Sequence, residues 1–539
     1  MRTHTRAGRS LIRRTLAVLI VAAFVAAACG NDDSGNDGGT SGNDDGTSGN
    51  DDGTSGNDDG TSGGDDSASG SSIVIAIADE PSTLDPQIAE DGNERAITDN
   101  IYETLLWRDT ETNELEPFLA AELPTQVDDT TWEFVLREDV TFTNGEPFNA
   151  ESVAYSVNRL VDPDFGSAQR DFYGPINGAE AVDEFTVHIT TDGFDPVVPA
   201  RMYRMKMLPA GADDTDYGQE AIGTGPYKLV EWERGQEVTL ELNEDYWGET
   251  PSITDVTFRF IPSSGTRVAG LGTGEIHLST LLPPEQAADA PQVLSRDGIE
   301  FPVYRLMNYD GLIEDPRIRQ AMNYAVDKEA IADDLYSGFA TVAQCQVLTE
   351  GHFGYNPDLE PYPYDPDRAR ELLDEAGYDG EPVQFLGATG RWLKDSELHD
   401  VIIGYLSEVG FNFDTDIRPF AAYLESFTLT VGENQPEVGF VSSSNALFDA
   451  SNADAYYTSD GSLSSYVNDD VDAAMDAARS ESDPDQREAD FHEAMQIGCE
   501  EDPVFLFLVN LQDIYGAAEN LEWQPRIDSA LYVPEMSLS

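Results

Sequence analysis

Lysine is almost missing from this chain. Its 539 residues include four lysines, and all 30 Lys and Arg stand against 103 Asp and Glu, for a formal charge of −73. That deficit argues against nucleic-acid binding, since a phosphate partner needs a basic face. It equally disfavours docking on anionic lipid through a polybasic patch. Cysteine is as scarce: three residues cannot build a disulfide mini-scaffold or a Cys-rich zinc module. The six histidines are scattered without metal-ligand spacing, so no metal site is expected. From residue 73 onward G-x-S-x-G is absent, and H-E-x-x-H is absent throughout, which removes the commonest hydrolase signatures. Gly270-Leu271-Gly272-Thr273-Gly274 looks like a nucleotide loop but misses the G-x-G-x-x-G spacing. Carboxylates are so abundant that pairs of them carry no catalytic information. No enzyme activity and no cofactor are expected.

Long apolar runs are also lacking, with one exception at the N-terminus. Arg2, Arg6, Arg9, Arg13 and Arg14 precede an apolar stretch from Thr15 to Ala28, short of the ~20 residues a membrane span needs. It ends in Ala26-Ala27-Ala28-Cys29-Gly30, which resembles a bacterial lipobox with Ala26 in place of the usual Leu. The resemblance implies a signal peptide over 1–28, cut before Cys29, whose thiol is acylated. Residues 29–72 then form a spacer. GNDDGTS recurs at 42–48, 49–55 and 56–62 after the degenerate copy GNDGGTS at 35–41, without the apolar residues that a core or a calcium-binding β-roll requires. Its reach is roughly 35 Å, enough to hold a folded domain off a membrane. The excess of one charge sign strains a compact state unless salt screens it. Either a well-solvated surface or adaptation to a saline or alkaline exterior accounts for it.

From residue 73 the pattern is mixed. Alternating runs such as Thr186-Val187-His188-Ile189, Val238 to Leu242 and Val256 to Phe260 read as half-buried strands. Asp315-Pro316, Asp365-Pro366 and Asp483-Pro484 each place a capping acid before a proline at the first helical position, and Asn149 starts a further helix. Asn144-Gly145 supplies a hairpin turn, and Gly223 and Gly225 permit tight backbone turns. Strands and helices interleave throughout, so the class is α/β or mixed α+β in several layers.

The order of segments is more specific than any one of them. PSTLDP (81–86), IYETLL (101–106), ELEPFLAAELP (114–124), TTWEFVLREDVTFTNGEPFNAESVAYSVNRL (130–160), GTGPYKLVEW (223–232), LNEDYWG (242–248), DPRIRQAMNYAVDKEAI (315–331), YPYDPDRARELLDEAGY (362–378) and the 466–496 stretch follow in turn. This series resembles the solute-binding proteins of peptide/nickel-type ABC importers, extracellular solute-binding family 5. The resemblance implies the two-lobe periplasmic-binding-protein fold of the large dipeptide- and oligopeptide-binding proteins. One lobe would be 73–302 plus 512–539 and the other 303–511, with crossings near Phe301–Tyr304 and Phe505–Leu508. It further implies a monomeric receptor on the outer face of the cell membrane, held there by the lipid on Cys29. That receptor would close over a small-molecule or peptide ligand and hand it to permease and ATPase subunits. A sensor without a permease is the alternative role.

The same resemblance puts ligand contacts in three regions. Ala89-Glu90-Asp91-Gly92 would face the cleft with its backbone and acids. In Gly390-Arg391-Trp392, Arg391 would pair with a ligand carboxylate while Trp392 packs its body. The third region departs from the family pattern, in which a Trp is followed three residues later by an Asp that pairs with a peptide's α-amine. Here Phe440 stands for the Trp and Ser443 for the acid, with Ser442 and Asn445 beside them. A hydroxyl cannot supply the charge-assisted bond that a buried ammonium needs, which opens modified peptides, oligosaccharides, opine-like compounds and metal chelates as ligands. Asp449, further along, is the remaining candidate acid. Cys345 and Cys499 are expected to pair outside the cell, closing a long loop worth up to ~5 kcal/mol.

Overall fold

The computed structural model describes residues 71–88, 92–212, 215–217, 220–427 and 429–539. Cys29, the signal and nearly all of the spacer, and Glu90 and Asp91, lie outside the described residues. The first strand, Ser71–Ile77, begins inside the stretch assigned to the spacer.

Local chemistry sets the elements where the sequence placed them. The Asp side chains of the three Asp-Pro starts accept from the first turn: Asp315 from Arg317 N, Asp365 from Arg368 N, and Asp483 from Asp485 N and Gln486 N. Asn149 and Ser152 form a reciprocal capping box at the head of Ala150–Val161. A Cβ on Gly223 would stand 1.9 Å from the Ile101 carbonyl oxygen, so only glycine lets these two backbones meet.

Three sheets carry the molecule. The largest runs, in spatial order, Gln292–Asp297, Val509–Ala517, Leu278–Ser279, Ser71–Ile77, Ile253–Phe260, Glu237–Leu242 and Tyr227–Glu233, with Ala340–Val342 added on Val509–Ala517. A four-stranded sheet (Thr125–Asp128, Thr131–Val135, Thr186–Thr191, Ile176–Ala181) packs under Ala150–Val161 and completes the first lobe. The second lobe is built on a five-stranded sheet ordered Asn412–Pro419, Pro382–Thr389, Val438–Ser444, Glu300–Leu306, Phe505–Leu506.

Both faces of that last sheet are covered, and the period of two sorts its side chains. Tyr304, Leu306, Phe385, Val438 and Phe440 meet the helices Pro316–Ala325, Pro366–Ala376 and Asp395–Val409. Val303, Leu386, Ala388 and Val441 meet Asp469–Ser480 and Pro484–Gln496 on the other side. Cys345 and Cys499 are joined within this second core, with Cα atoms 5.5 Å apart.

The chain passes between lobes twice. Gln292–Asp297 pairs in the first lobe and Glu300–Leu306 in the second, so the outward passage is at 298–299. Phe505–Leu506 pairs in the second lobe, residues 509–511 pair with Ala340–Val342 beside the second-lobe core, and Gln512 is the first to pair in the first lobe, opposite Asp297, so the return is at 511–512. The outward passage falls earlier than the sequence suggested, because Phe301 to Tyr304 already pair with Ser443 to Phe440.

Candidate functional site

Strand direction locates the crevice. Leu278–Ser279 runs antiparallel to the returning strand Val509–Ala517, and Ser71–Ile77 and Ile253–Phe260 run parallel to it, so all three end facing the second lobe. In the second lobe Val438–Ser444 opposes the outgoing strand Glu300–Leu306, and Pro382–Thr389 and Asn412–Pro419 run with it, so these three end facing the first. Ligands of open α/β sheets sit beyond the carboxyl ends of such strands. The facing ends are Pro262 and Thr280–Leu281 on one side, and Gly390–Lys394, Phe420 and Ser442–Phe448 on the other.

Of the expected contact residues, Gly92 opens the helix Gly92–Thr98 with open space around its Cα. Arg391 is exposed, its backbone N–H donating to Asp395 Oδ2 at 2.9 Å and its guanidinium 5.8 Å from the Phe420 ring. Trp392 is half-buried and packs edge-on against Phe420 at 5.0 Å and Phe440 at 5.3 Å. Both follow the carboxyl end of Pro382–Thr389, on the side of the sheet that faces the first lobe.

The third region is corrected in part. Phe440 is 1% exposed, its ring held among Tyr304, His399 and Trp392 inside the core. Register explains it: Phe440 lies directly opposite Tyr304, and both point to the face that Asp395–Val409 covers. It supports Trp392 from behind and does not reach the crevice. Ser442 Oγ donates to Glu300 Oε1 at 2.7 Å, and the Ser443 hydroxyl hydrogen-bonds the Tyr456 phenol. Burial raises the Glu300 carboxyl above its ordinary range, against the pull of Ser442 and Arg391. Asn445 is buried, donating from Nδ2 to the Asp449 carbonyl. Asp449 is committed elsewhere: both its oxygens accept from Arg487, at 2.7 and 2.8 Å. Burial alone would raise its pKa, but the guanidinium more than offsets that and holds the carboxyl below the usual range. It is not available to a ligand amine.

Sequence reasoning missed the contacts that join the lobes. Leu447 and Phe448 leave the second lobe and enter the first, Leu447 against Val197 and Ala200, and Phe448 within the core under the four-stranded sheet. Arg108 Nη2 donates to the Leu447 carbonyl at 2.9 Å while its guanidinium lies between the Tyr203 and Phe448 rings, 4.8 and 4.7 Å away. Asn113 Nδ2 donates to the Gly351 carbonyl at 2.8 Å, and the His352 ring lies on Phe448 at 4.9 Å. On the other side of the crossings, Lys394 Nζ reaches Glu285 at 3.2 Å. Each partner is hundreds of residues away or of an unremarkable type, so no local signal marks these pairs.

No group of three or more His, Cys, Asp and Glu among the described residues is placed to hold a metal ion, and no described helix is long and apolar enough to cross a membrane. Residues 114–464 match the family described as bacterial extracellular solute-binding proteins, family 5 middle. The glutathione-binding protein GsiB of Pectobacterium atrosepticum is 32% identical over 323 residues, covering 57% of this chain and 61% of that protein. Two solved structures share the fold over 87% of the chain and 98% of their own. The ABC transporter-associated periplasmic binding protein DppA of Helicobacter pylori, in complex with peptide STSA, gives a TM-score of 0.67 at 24% identity. The murein tripeptide binding protein MppA, in its unliganded open form, gives 0.77 at 21% identity.

Proposed function

Because the chain belongs to the bacterial extracellular solute-binding proteins of family 5, we propose that it is the extracytoplasmic binding component of an ABC importer. It captures a peptide or peptide-like solute by closure of its lobes and delivers it, unaltered, to a permease. The lobes are 71–298 with 512–539, and 299–511, flexing at the passages between sheets. Cys29 carries the lipid that keeps the receptor at the outer face of the membrane, with the residues between it and Ser71 as its tether. Its matched stretch spans about three-fifths of GsiB, whose name states glutathione as ligand, and a γ-linked, peptide-like anion is the first compound to try.

One observation carries this reading. The chain superposes better on a relative in its unliganded open form than on a peptide-bound relative of the same fold, 0.77 against 0.67. That is the difference expected of two lobes standing in an open arrangement. The crevice offers a guanidinium at Arg391 backed by Trp392, suited to a carboxylate.

A second reading concerns the ligand's other end. Ser443 takes the place of the family's acid and Asp449 is held by Arg487. This favours ligands that lack a free α-amine, an opine or a capped peptide among them.

A thermal-shift screen of glutathione, free and N-acetylated peptides, opines, sugars and nickel chelates tests both readings. A ligand at 100 times its Kd adds about 2.7 kcal/mol to the folded state. X-ray scattering with and without the hit then reads closure. A hit that leaves the radius of gyration unchanged, or a compound consumed by the purified protein, defeats the proposal.

A further inference from the structure

The backbone at Leu281 is in the left-handed region, at φ 48°, where L-residues other than glycine and asparagine are disfavoured. The side chain gains nothing from the position in packing: Leu281 is 55% exposed, the most open of the large apolar residues described. Its neighbour Leu282 is buried against Ala287 and Ile514. A glycine or asparagine would make the same turn without strain, so the backbone does not ask for a leucine here.

The loop is nonetheless held with care. Arg267 is 3% exposed and gathers the ends of two adjacent segments. Its Nε donates to Ser279 Oγ at 3.0 Å, Nη1 to the carbonyls of Ile261 (2.8 Å) and Pro262 (3.1 Å), and Nη2 to those of Thr280 (3.4 Å) and Leu281 (3.3 Å). A buried guanidinium thus fixes the carbonyl of the strained residue while its side chain projects into solvent.

Topology says which solvent. Leu278–Ser279 lies inside the large sheet, between Ser71–Ile77 and Val509–Ala517, and ends toward the second lobe. Two contacts set what stands opposite: Glu285 with Lys394 at 3.2 Å, and Phe339 of the second lobe against the cluster of Leu282, Ala287 and Ile514. Lys394 follows Arg391, Trp392 and Leu393, and Leu393 is itself 38% exposed. Lys394 is also left-handed, at φ 58°. Strained residues that a fold over-determines in this way collect at ligand clamps.

We propose that Leu281 is a specificity-determining contact of the crevice, selecting ligands that carry an aliphatic group in addition to the carboxylate taken by Arg391. This rests on the reading of the crevice as the ligand site. Leu281 supplies the apolar wall from the first lobe, and Trp392 with Leu393 supplies it from the second. The ligand class is a peptide-like acid with a branched aliphatic side chain.

The test uses the lipid-free folded chain with Ala-Ala-Leu, Ala-Ala-Gly and their N-acetyl forms as probes, with affinities from calorimetry. The wild type is expected to bind the leucyl member of either pair roughly tenfold more tightly than the glycyl member. Leu281→Asn, which suits the left-handed backbone, is expected to erase that preference while its melting temperature stays level or rises. Leu281→Met is expected to keep the preference. Equal discrimination by wild type and Leu281→Asn overturns the assignment and leaves the crevice as the ligand site. Unchanged binding together with a weakened response of a permease–ATPase complex makes Leu281 a docking contact and also overturns it. If the wild type binds none of the probes, the peptide-like ligand falls, and this assignment with it.

Discussion

Two seams join the lobes, and they are built on opposite principles. At the finger seam, Phe448 is 2% exposed among first-lobe side chains, and Arg108 is stacked between two rings and bonded to a second-lobe carbonyl. At the crevice seam, Lys394 and Glu285 meet in water, with Glu285 about half exposed and Leu281 and Leu393 left open. Dispersion and desolvated hydrogen bonds are worth several kcal/mol at the first. An exposed ion pair is worth 0 to about 1 kcal/mol at the second. Both seams hold non-glycine residues in left-handed backbone: Asn113 and Phe448 at the first, Leu281 and Lys394 at the second. The difference teaches where motion is permitted. The contrast makes the finger the expected pivot and the crevice the side expected to open and shut about it.

The finger is the place to break that contrast. Phe448→Ala removes a buried ring and leaves a cavity, at an expected cost of about 4 kcal/mol, read as a lower urea midpoint. The unfolding curve should also lose cooperativity as the lobes part company, seen as divergence of near- and far-ultraviolet dichroism. A loss under 1 kcal/mol would mean the finger is not the pivot.

The legible parts of this molecule were those whose signal is local. Asp365 followed by Pro366, with Gly377 at φ 76° eleven residues on, is a helix written in a dozen letters. Arg391 and Trp392 became candidates because a short motif carries them. Phe440 was misplaced because its role depends on register with Tyr304, 136 residues away in sequence. Asp449 looked available because Arg487, its partner, belongs to a helix with its own cap and its own core face. Leu281, Phe448 and Lys394 gave no sign: a left-handed φ on an ordinary residue is a property of the fold around it. The architecture was therefore readable and the joints were not.

Acidity should act on the dry seam first. Burial pushes His352 down to about 4, with Nε2 donating to the Asn445 carbonyl at 3.2 Å and the Arg108 charge nearby disfavouring a second proton. The groups facing it from the surrounding elements are Arg108 and Asp449, the latter held ionised by Arg487. The unfolded chain takes up this proton near pH 6.5 and the folded chain only near 4. The contribution is therefore intact at pH 7 and is lost as pH falls through 6.5 toward 4, by about 2 kcal/mol at pH 5. Glu103, pushed up to about 7 by burial, runs the other way and favours folding as pH falls through that window, so global melting blends the two. Hydrogen exchange separates them: at pH 5, after correction for the intrinsic rate, amides at 447–449 should open more readily than those of Ser71–Ile77. His352→Gln should remove the difference. Uniform protection at both pH values would show that the ring is not part of the seam's stability.

The smallest effect expected is also the one that tests the weak side of the comparison. Lys394 occupies the residue before the helix Asp395–Val409, at φ 58° and without a side-chain cap, so its charge sits at the positive end of the helix dipole. Its exposed ion pair with Glu285 stands against both penalties. Lys394→Gly relieves the backbone by about 1 kcal/mol and forfeits an exposed pair worth no more than that. The melting temperature is expected to stay level or rise slightly, and Glu285→Gln alone to cost less than about 1 kcal/mol of stability, an effect that molar salt abolishes. If Lys394→Gly instead costs more than about 2 kcal/mol, the two seams are equally strong, and opening must take place somewhere other than between Glu285 and Lys394.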